Sequence, residues 1–360
     1  MIVTHQLVNI LEHRKSIDKL DGQIVRLLNE RTLHVLAIGE MKMKAGEEIY
    51  APHREGAVLQ RIARLNKGPM TSDSLRAVYR EIMSSALSLE KSMTIAYLGP
   101  EATFTHQAAI RRFGSSLRYS AQKTIADVFA EVSKNRADYG VVPIENSTEG
   151  VVTHTLDMFV DSDLKIVAQI VLRVQHCLLS RSRRSGIRKL FAHPQALAQC
   201  RSWVQNNLPR VEIIETSSNA RSAEFAQKEK SSAAIAGVLA AEKYGLPVLE
   251  HDIQDNAANA TRFLVLGRQC SPVTGKDRTS VMFSIVDKVG ALYSALSPFR
   301  RLRINMTKIE SRPSKRKVWE YFFFVDCDGH THDRKVAKAL TLLGEQCSFV
   351  KVLGSYPNTE

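Results

Sequence analysis

The sequence predicts a multidomain protein of three parts: an all-α segment over residues 1–91, a two-lobed α/β domain over 94–270 and an α+β ferredoxin-like domain over 279–355. Three observations carry that reading. Apolar residues keep helical spacing with no proline from Leu7 to about Lys44. From Ile95 onward short apolar runs alternate with helical segments, the pattern of α/β sheets. After residue 278 the order becomes βαββαβ.

In the first part, Leu7, Ile10, Ile17, Leu20, Ile24, Leu27, Leu28 and Val35 stripe one long helix that Gly46 ends. Pro52 opens a second helix, Gly68-Pro69 closes it, and a third runs from Ser72 to Lys91. Three helices of such unequal length cannot bury so long an amphipathic rod alone, so a homodimer or higher homo-oligomer is expected. In the middle part, strands are expected at Ile95–Leu98, from Tyr139, and at Lys165–Leu172, Lys189–Ala192, Val211–Glu215 and Ala233–Ala236. Helices are expected at Thr105–Phe113, Thr124–Asn135, Gln195–Asn207 and Asn219–Glu229, which together argue for parallel sheets. Thr105 and Asn219 are candidate helix caps. Arg268–Arg278 reads as a linker. The last part places strands at Thr279–Val286, Asn305–Ser311, Val318–Val325 and Ser348–Leu353, and helices at Ala291–Phe299 and Arg334–Leu343. Its run Trp319–Phe324 is continuously apolar, which suggests pairing across a dimer interface.

A 360-residue chain with 44% hydrophobic and 24% charged residues is a globular protein. No apolar run approaches the roughly 20 residues of a membrane span, and the N-terminus lacks a signal-peptide pattern, so a cytoplasmic location and no membrane partner are expected. Five scattered cysteines form no CxxC pair, and no metal is implied. The net charge of +13 is spread over all three parts. Its densest clusters, such as Arg300/Arg301/Arg303 and Lys315/Arg316/Lys317, lack interleaved aromatics, which argues for anionic small molecules over nucleic acid.

Several residues ask for a chemical reason. Arg31 and Lys42 lie 11 residues apart, almost three turns and about 16 Å, on one helix face where they can close on a small anion. Arg14 is about 25 Å and about 100° away from Arg31, so only an antiparallel partner helix can bring it there. Glu90 falls on the apolar stripe of Met83, Ala86 and Leu87. In the α/β part, the run DYGVVPIENSTEGVV (138–152) delivers Glu145, Asn146 and Ser147 to a strand's C-terminal end, where crevices of open sheets form. Further polar clusters stand at Thr103/Thr105, His193/Gln195, Ser217/Ser218/Asn219 and Asn259/Thr261/Arg262.

The strings Arg14-x-x-Ile17-x-x-Leu20-Asp21, Leu27-Leu28-Asn29-Glu30-Arg31, Ile38-Gly39-x-x-Lys42 and Pro52-His53-Arg54-Glu55 resemble the all-helical chorismate mutase family. The resemblance implies an intertwined dimer in which Arg14, Arg31 and Arg54 hold the two carboxylates of chorismate, Lys42 the ether oxygen and Glu55 the hydroxyl. The rearrangement needs no nucleophile, only a compact conformer and positive charge where the C–O bond breaks. Ala51 and Ala86 stand where polar residues often help bind substrate, and Glu90 where some members have glutamine. A glutamate in that role must be protonated to donate to the ether oxygen; burial favours this and Lys42 opposes it.

Over residues 94–268, GPEATFTHQAA, VVPIENSTEG, AHPQALAQC, SSNARSAEFA and NATRFLVL resemble prephenate dehydratase, with Ala102 where relatives often have glycine. The resemblance implies Thr261 at the reacting hydroxyl of prephenate, with Thr103, Thr105, Asn146, Ser147 and Gln195 binding substrate and Glu145 as a candidate acid. Gly290-Ala291-Leu292 and Glu310-Ser311-Arg312-Pro313 resemble the ACT domain of such enzymes, which implies L-phenylalanine as effector: the helix N-terminus would take its carboxylate and Glu310 its ammonium. No cofactor is implied. A binding protein without turnover and a nucleic-acid regulator are the readings from other classes; neither explains the paired sites.

Overall fold

In a computed structural model of the chain, residues 2–46, 50, 52–314 and 320–358 are described, and they divide into two compact units with the main boundary after Met93. The first unit holds three helices, α1 (Ile2–Ala45), α2 (Pro52–Leu65) and α3 (Ser72–Glu90), at almost the bounds that periodicity expects. Thr71 caps α3 by accepting from the Ser74 amide, which satisfies one of the donors a helix start leaves orphaned. Along α1, Ile10, Ile17, Leu20, Ile24 and Leu27 stay exposed, so the apolar stripe lacks cover within one chain.

The second unit begins with β1 (Thr94–Leu98), α4 (Phe104–Phe113), β2 (Arg118–Gln122), α5 (Ile125–Ser133), β3 (Tyr139–Asn146), β4 (Gly150–Val151), α6 (Thr153–Asp161) and β5 (Lys165–Arg173). A second lobe follows with β6 (Cys177–Leu179), β7 (Lys189–Ala192), α7 (Pro194–Gln199), α8 (Arg201–Asn207), β8 (Glu212–Glu215), α9 (Asn219–Lys228), β9 (Ser232–Ala236), α10 (Val238–Tyr244) and β10 (Val248–Glu250). The chain then returns to the first lobe as β11 (Ala260–Gly267). The first sheet runs β2-β1-β3-β11-β5, with β4 on β3; the second runs β10-β6-β9-β7-β8.

The sheets are mixed, not parallel as expected. β1 is parallel to β2 and β3, but β11 inserts antiparallel between β3 and β5 because it arrives from the other lobe. The single helix expected at Gln195–Asn207 breaks in two at Cys200. The expected caps also shift by one or two residues. Thr103 accepts from the His106 amide at the start of α4 while Thr105 is buried, and Ser218, not Asn219, caps α9. Ala102 adopts a left-handed φ of 64°, the backbone region glycine favours.

The C-terminal part is β12 (Asp277–Ser284), α11 (Ala291–Arg301), β13 (Met306–Pro313), β14 (Tyr321–Asp328), α12 (Arg334–Gln346) and β15 (Phe349–Pro357). Its antiparallel sheet has the order β13-β14-β12-β15, a ferredoxin-like sandwich, and Asp277 and Arg278 belong to its first strand rather than to the linker. Within one chain the apolar run in β14 is covered on both faces. Phe323 and Val325 pack with Phe283, Phe299 and Leu343 under α11 and α12, whereas Phe322 and Phe324 join Ile144, Leu156, Phe159, Ile166 and Leu264 of the first lobe. Both faces of this strand are buried, so neither is polar. Trp319 lies outside the described residues. No described helix is long and apolar enough to cross a membrane.

Candidate functional site

In the helical unit, Arg31 and Lys42 of α1 and Glu90 at the end of α3 act on one another. Burial pushes the Glu90 carboxyl above the usual range, while the Lys42 ammonium and then the Arg31 guanidinium pull it back. Gly39 makes the approach possible: a Cβ there would stand 2.7 Å from Glu90 Oε2. Arg31 Nη1 is buried without a hydrogen-bond partner among the described residues, an expensive state for a guanidinium and one that an anionic ligand would relieve. Ala86, one turn before Glu90 on α3, is buried. Arg14 is exposed farther along α1; Arg54 and Glu55 begin α2, the first exposed and the second half-buried. Ala51 lies outside the described residues.

In the second unit the end of β3 meets the start of β11. Thr261 pairs with Asn146 in the ladder, so both side chains fall on one face, and Asn146 Nδ2 donates to Thr261 Oγ1 at 2.8 Å. Ser147 clamps the neighbouring backbone: its amide donates to the Ala260 carbonyl and its Oγ accepts from the Ala260 amide. The ENSTE turn then folds onto Asn146, whose Oδ1 accepts from the amides of Thr148 (2.9 Å) and Glu149 (3.1 Å).

Strand alternation turns Glu145 away from Thr261. It pairs with Arg262 in the ladder, on the opposite face, and its carboxylate takes Lys308 of β13 at 2.6 Å. The candidate acid is thus engaged with the C-terminal domain and lies outside the Thr261 cluster. Gln195 is exposed on the first turn of α7, and it is Gln199, a turn later, that reaches the cluster. Gln199 Oε1 accepts from Asn259 Nδ2 at 2.8 Å and lies 2.9 Å from His176 Nε2. Its Nε2 donates to Thr148 Oγ1 and Glu149 Oε1 at 3.3 and 3.4 Å. Asn259 belongs to one of the polar clusters of the sequence, Gln199 lies one turn beyond Gln195, and His176 belongs to none of the matching strings. Thr103 donates to the Leu98 carbonyl, which fixes the turn before α4.

In the C-terminal domain Gly290 takes a left-handed φ of 76° at the start of α11, followed by buried Ala291 and half-buried Leu292. Along β13, Lys308, Glu310 and Arg312 alternate inward while Ser311 and Pro313 are exposed. Arg312 donates to Asp157 of α6 at 3.2 Å, so this strand touches the first lobe twice. Glu310 has no ion pair among the described residues.

Fold and sites define a two-site enzyme on one chain, with a separate ferredoxin-like domain attached to the second site. Family models match residues 13–91 as chorismate mutase type II, 95–271 as prephenate dehydratase and 279–341 as an ACT domain. The chain is 50% identical over 351 residues to a bifunctional chorismate mutase/prephenate dehydratase of Aquifex aeolicus (strain VF5), covering 96% of this chain and 97% of that one. It is 47% identical over 352 residues to that of Neisseria gonorrhoeae (strain ATCC 700825 / FA 1090), covering 97% of each. A crystal structure of prephenate dehydratase from Arthrobacter aurescens in complex with L-Phe superposes with a TM-score of 0.70 at 34% identity, over 74% of this chain and 90% of that one. The chain belongs to the bifunctional chorismate mutase/prephenate dehydratase family, and with it to phenylalanine biosynthesis.

Proposed function

We propose that the two activities divide between the two units and that L-phenylalanine restrains the second through the ACT domain. Arg31 and Lys42 bind chorismate, with Arg54 and Glu55 from α2. Glu90 in its protonated form donates to the ether oxygen as the C–O bond breaks. The exposed apolar stripe of α1 supports a homodimer whose second copy brings Arg14 to the site. The five cysteines are free, in keeping with a cytoplasmic location.

Dehydration is carried by one observation: Thr261 Oγ1 accepts from Asn146, so its own proton is directed elsewhere. Aligned over prephenate, that hydroxyl hydrogen-bonds the leaving oxygen. The ring C–O bond breaks as the C–CO₂⁻ electrons move into the ring, releasing CO₂ and a hydroxide that the Thr261 hydrogen bond stabilises and that takes a proton from solvent to leave as water. Thr103, Thr105, Ser147 and Gln195 line the substrate's approach. Glu145, held by Lys308, has no part as acid in this reading. Gly290–Leu292 and Glu310–Pro313 take the effector's carboxylate and ammonium; L-phenylalanine as the effector is supported by the L-Phe complex of the Arthrobacter aurescens protein.

Phenylpyruvate formation tests the whole reading when started separately from chorismate and from prephenate, each with and without L-phenylalanine. Product from both, suppressed by phenylalanine, is expected. Product from prephenate alone would remove the mutase assignment, and indifference to phenylalanine would remove the effector site.

A further inference from the structure

We propose that His176, as its neutral Nε2–H tautomer, and Asn259 are positioning residues for the dehydratase, locking Gln199 of one lobe to Asn146 and Thr261 of the other. This rests on the reading of Thr261 as donor. It follows from a chain of hydrogen bonds whose direction is set at one end. The amides of Thr148 and Glu149 can only donate, so the Asn146 atom they meet is Oδ1. Asn146 therefore turns Nδ2 to both Thr261 Oγ1 and Asn259 Oδ1, the latter at 3.0 Å. Asn259 in turn presents Nδ2 to Gln199 Oε1. An oxygen already accepting there meets His176 Nε2 at 2.9 Å, so that nitrogen must carry the proton.

The placement of these groups gives the chain its use. Asn146 and Thr261 belong to the first lobe and Gln199 to the second, while His176 and Asn259 lie on the two crossings between them. The crossings are themselves stitched: the Val174 amide donates to the Asn259 carbonyl, and the His176 amide to Gln254 Oε1. Asn259 is 0% and His176 1% exposed, so water cannot substitute freely for a lost partner. Phe104 of α4 stands edge-on to the His176 ring at 5.3 Å and restricts its rotation. Burial pushes the His176 pKa down, against the hydrogen bond to Gln199, in keeping with an uncharged ring.

Two experiments test this together. Selective ¹⁵N labelling of histidine, with His176 assigned by its loss in His176→Gln, should show a protonated Nε2 and a bare Nδ1 at neutral pH. The opposite tautomer would overturn the assignment, whatever the variants do. In kinetics from prephenate, Asn259→Asp removes the donor to Gln199 and is expected to lower kcat by about tenfold or more with KM within about twofold, as displacement of an aligned group does. His176→Phe should do the same, and His176→Gln, which keeps a donor, should recover most of it. Mutase turnover in the same polypeptides should be unchanged. Full kcat in both Asn259→Asp and His176→Phe would overturn the positioning role, as would loss in His176→Gln equal to that in His176→Phe. Thr261→Val, run in parallel, separates the two readings: activity surviving there removes Thr261 as donor and leaves the tautomer result standing.

Discussion

The two sites on this chain solve different problems with different materials. The helical site is built from full charges: Arg31 and Lys42 act on Glu90, and the buried Arg31 Nη1 has no hydrogen-bond partner among the described residues. The cleft site is built from neutral groups that saturate one another, from the ENSTE amides through Asn146 to Thr261. On the proposed reading, a pericyclic rearrangement needs a field that favours charge developing on the ether oxygen, and the Arg31 and Lys42 cations supply it. In the proposed elimination one hydrogen-bond donor is aimed at one oxygen, and the neighbouring dipoles fix the Thr261 hydroxyl's direction. The largest effect expected separates them outright. Thr261→Val should lower phenylpyruvate formation from prephenate by roughly a hundred- to ten-thousand-fold while chorismate consumption stays unchanged. Equal loss of both would mean misfolding and would dissolve the distinction.

The comparison sharpens with pH. Glu90 has a raised pKa because burial penalises its charge more than Lys42 and Arg31 reward it. If the protonated form donates to the ether oxygen, mutase activity is full below that pKa and falls as pH rises through it, since the charged carboxylate has no proton to give. Glu90→Gln keeps a donor and no titration, so its profile should be flat through the same range. Dehydratase activity measured on the same samples should keep the wild-type profile in both proteins. A mutase profile unchanged by the substitution would take Glu90 out of the role.

The catalytic sheet offers a second contrast between neighbours one residue apart. Thr261 and Asn146 face the cleft; Arg262 and Glu145 face the ACT domain. Arg262 donates to Asp326 of β14 at 2.7 Å, to Tyr356 of β15 at 2.9 Å and to Gln169 of β5 at 3.0 Å. The Arg262–Asp326 pair is almost fully buried, with side chains 11% and 12% exposed, so losing either partner should cost several kcal/mol, about 3–5. The Lys308–Glu145 pair is more exposed, at 16% and 37%, and Lys308 shares β13 with Glu310–Pro313. Lys308→Gln should cost about 1 kcal/mol or less in stability and leave basal turnover within about twofold, while L-phenylalanine inhibits less well. Inhibition curves at fixed prephenate decide it: an unshifted curve would mean that this strand does not carry the effector's influence.

Much of this was legible in the residues, for reasons that differ by element. The three helices and the βαββαβ order follow from periodicity, and the observed bounds differ from the expected ones by a few residues. Glu145 could have been excluded as a partner of Thr261 by strand parity alone, since Asn146 and Glu145 cannot face the same way. Gln199 was harder: Gln195 and Gln199 share one string, and the break at Cys200 that sets which turn meets Asn259 leaves no mark in composition. His176 was beyond reach, because its role comes from a crossing between lobes and not from its neighbours in sequence. The antiparallel β11 and the doubly covered β14 were likewise set by where the chain returns, which local pattern does not encode.

The smallest effect concerns the turn before α4, where Ala102 holds a left-handed φ of 64° that suits glycine better. A left-handed L-residue costs about 1–2 kcal/mol, so Ala102→Gly removes strain. Against that, glycine loses about 0.5–1 kcal/mol in backbone entropy. The buried alanine methyl, 5% exposed and packed with Cys177, Leu179, Ala236 and Ala240, is worth about 0.8 kcal/mol more. The terms nearly cancel, and the thermal midpoint should move by no more than about 4 °C in either direction. Dehydratase kcat should hold, because Thr103 still fixes the turn through the Leu98 carbonyl and the His106 amide. A larger fall would show that the methyl is a structural contact between the turn and the second lobe's core, and a larger rise that the strain at this position outweighs everything packed around it.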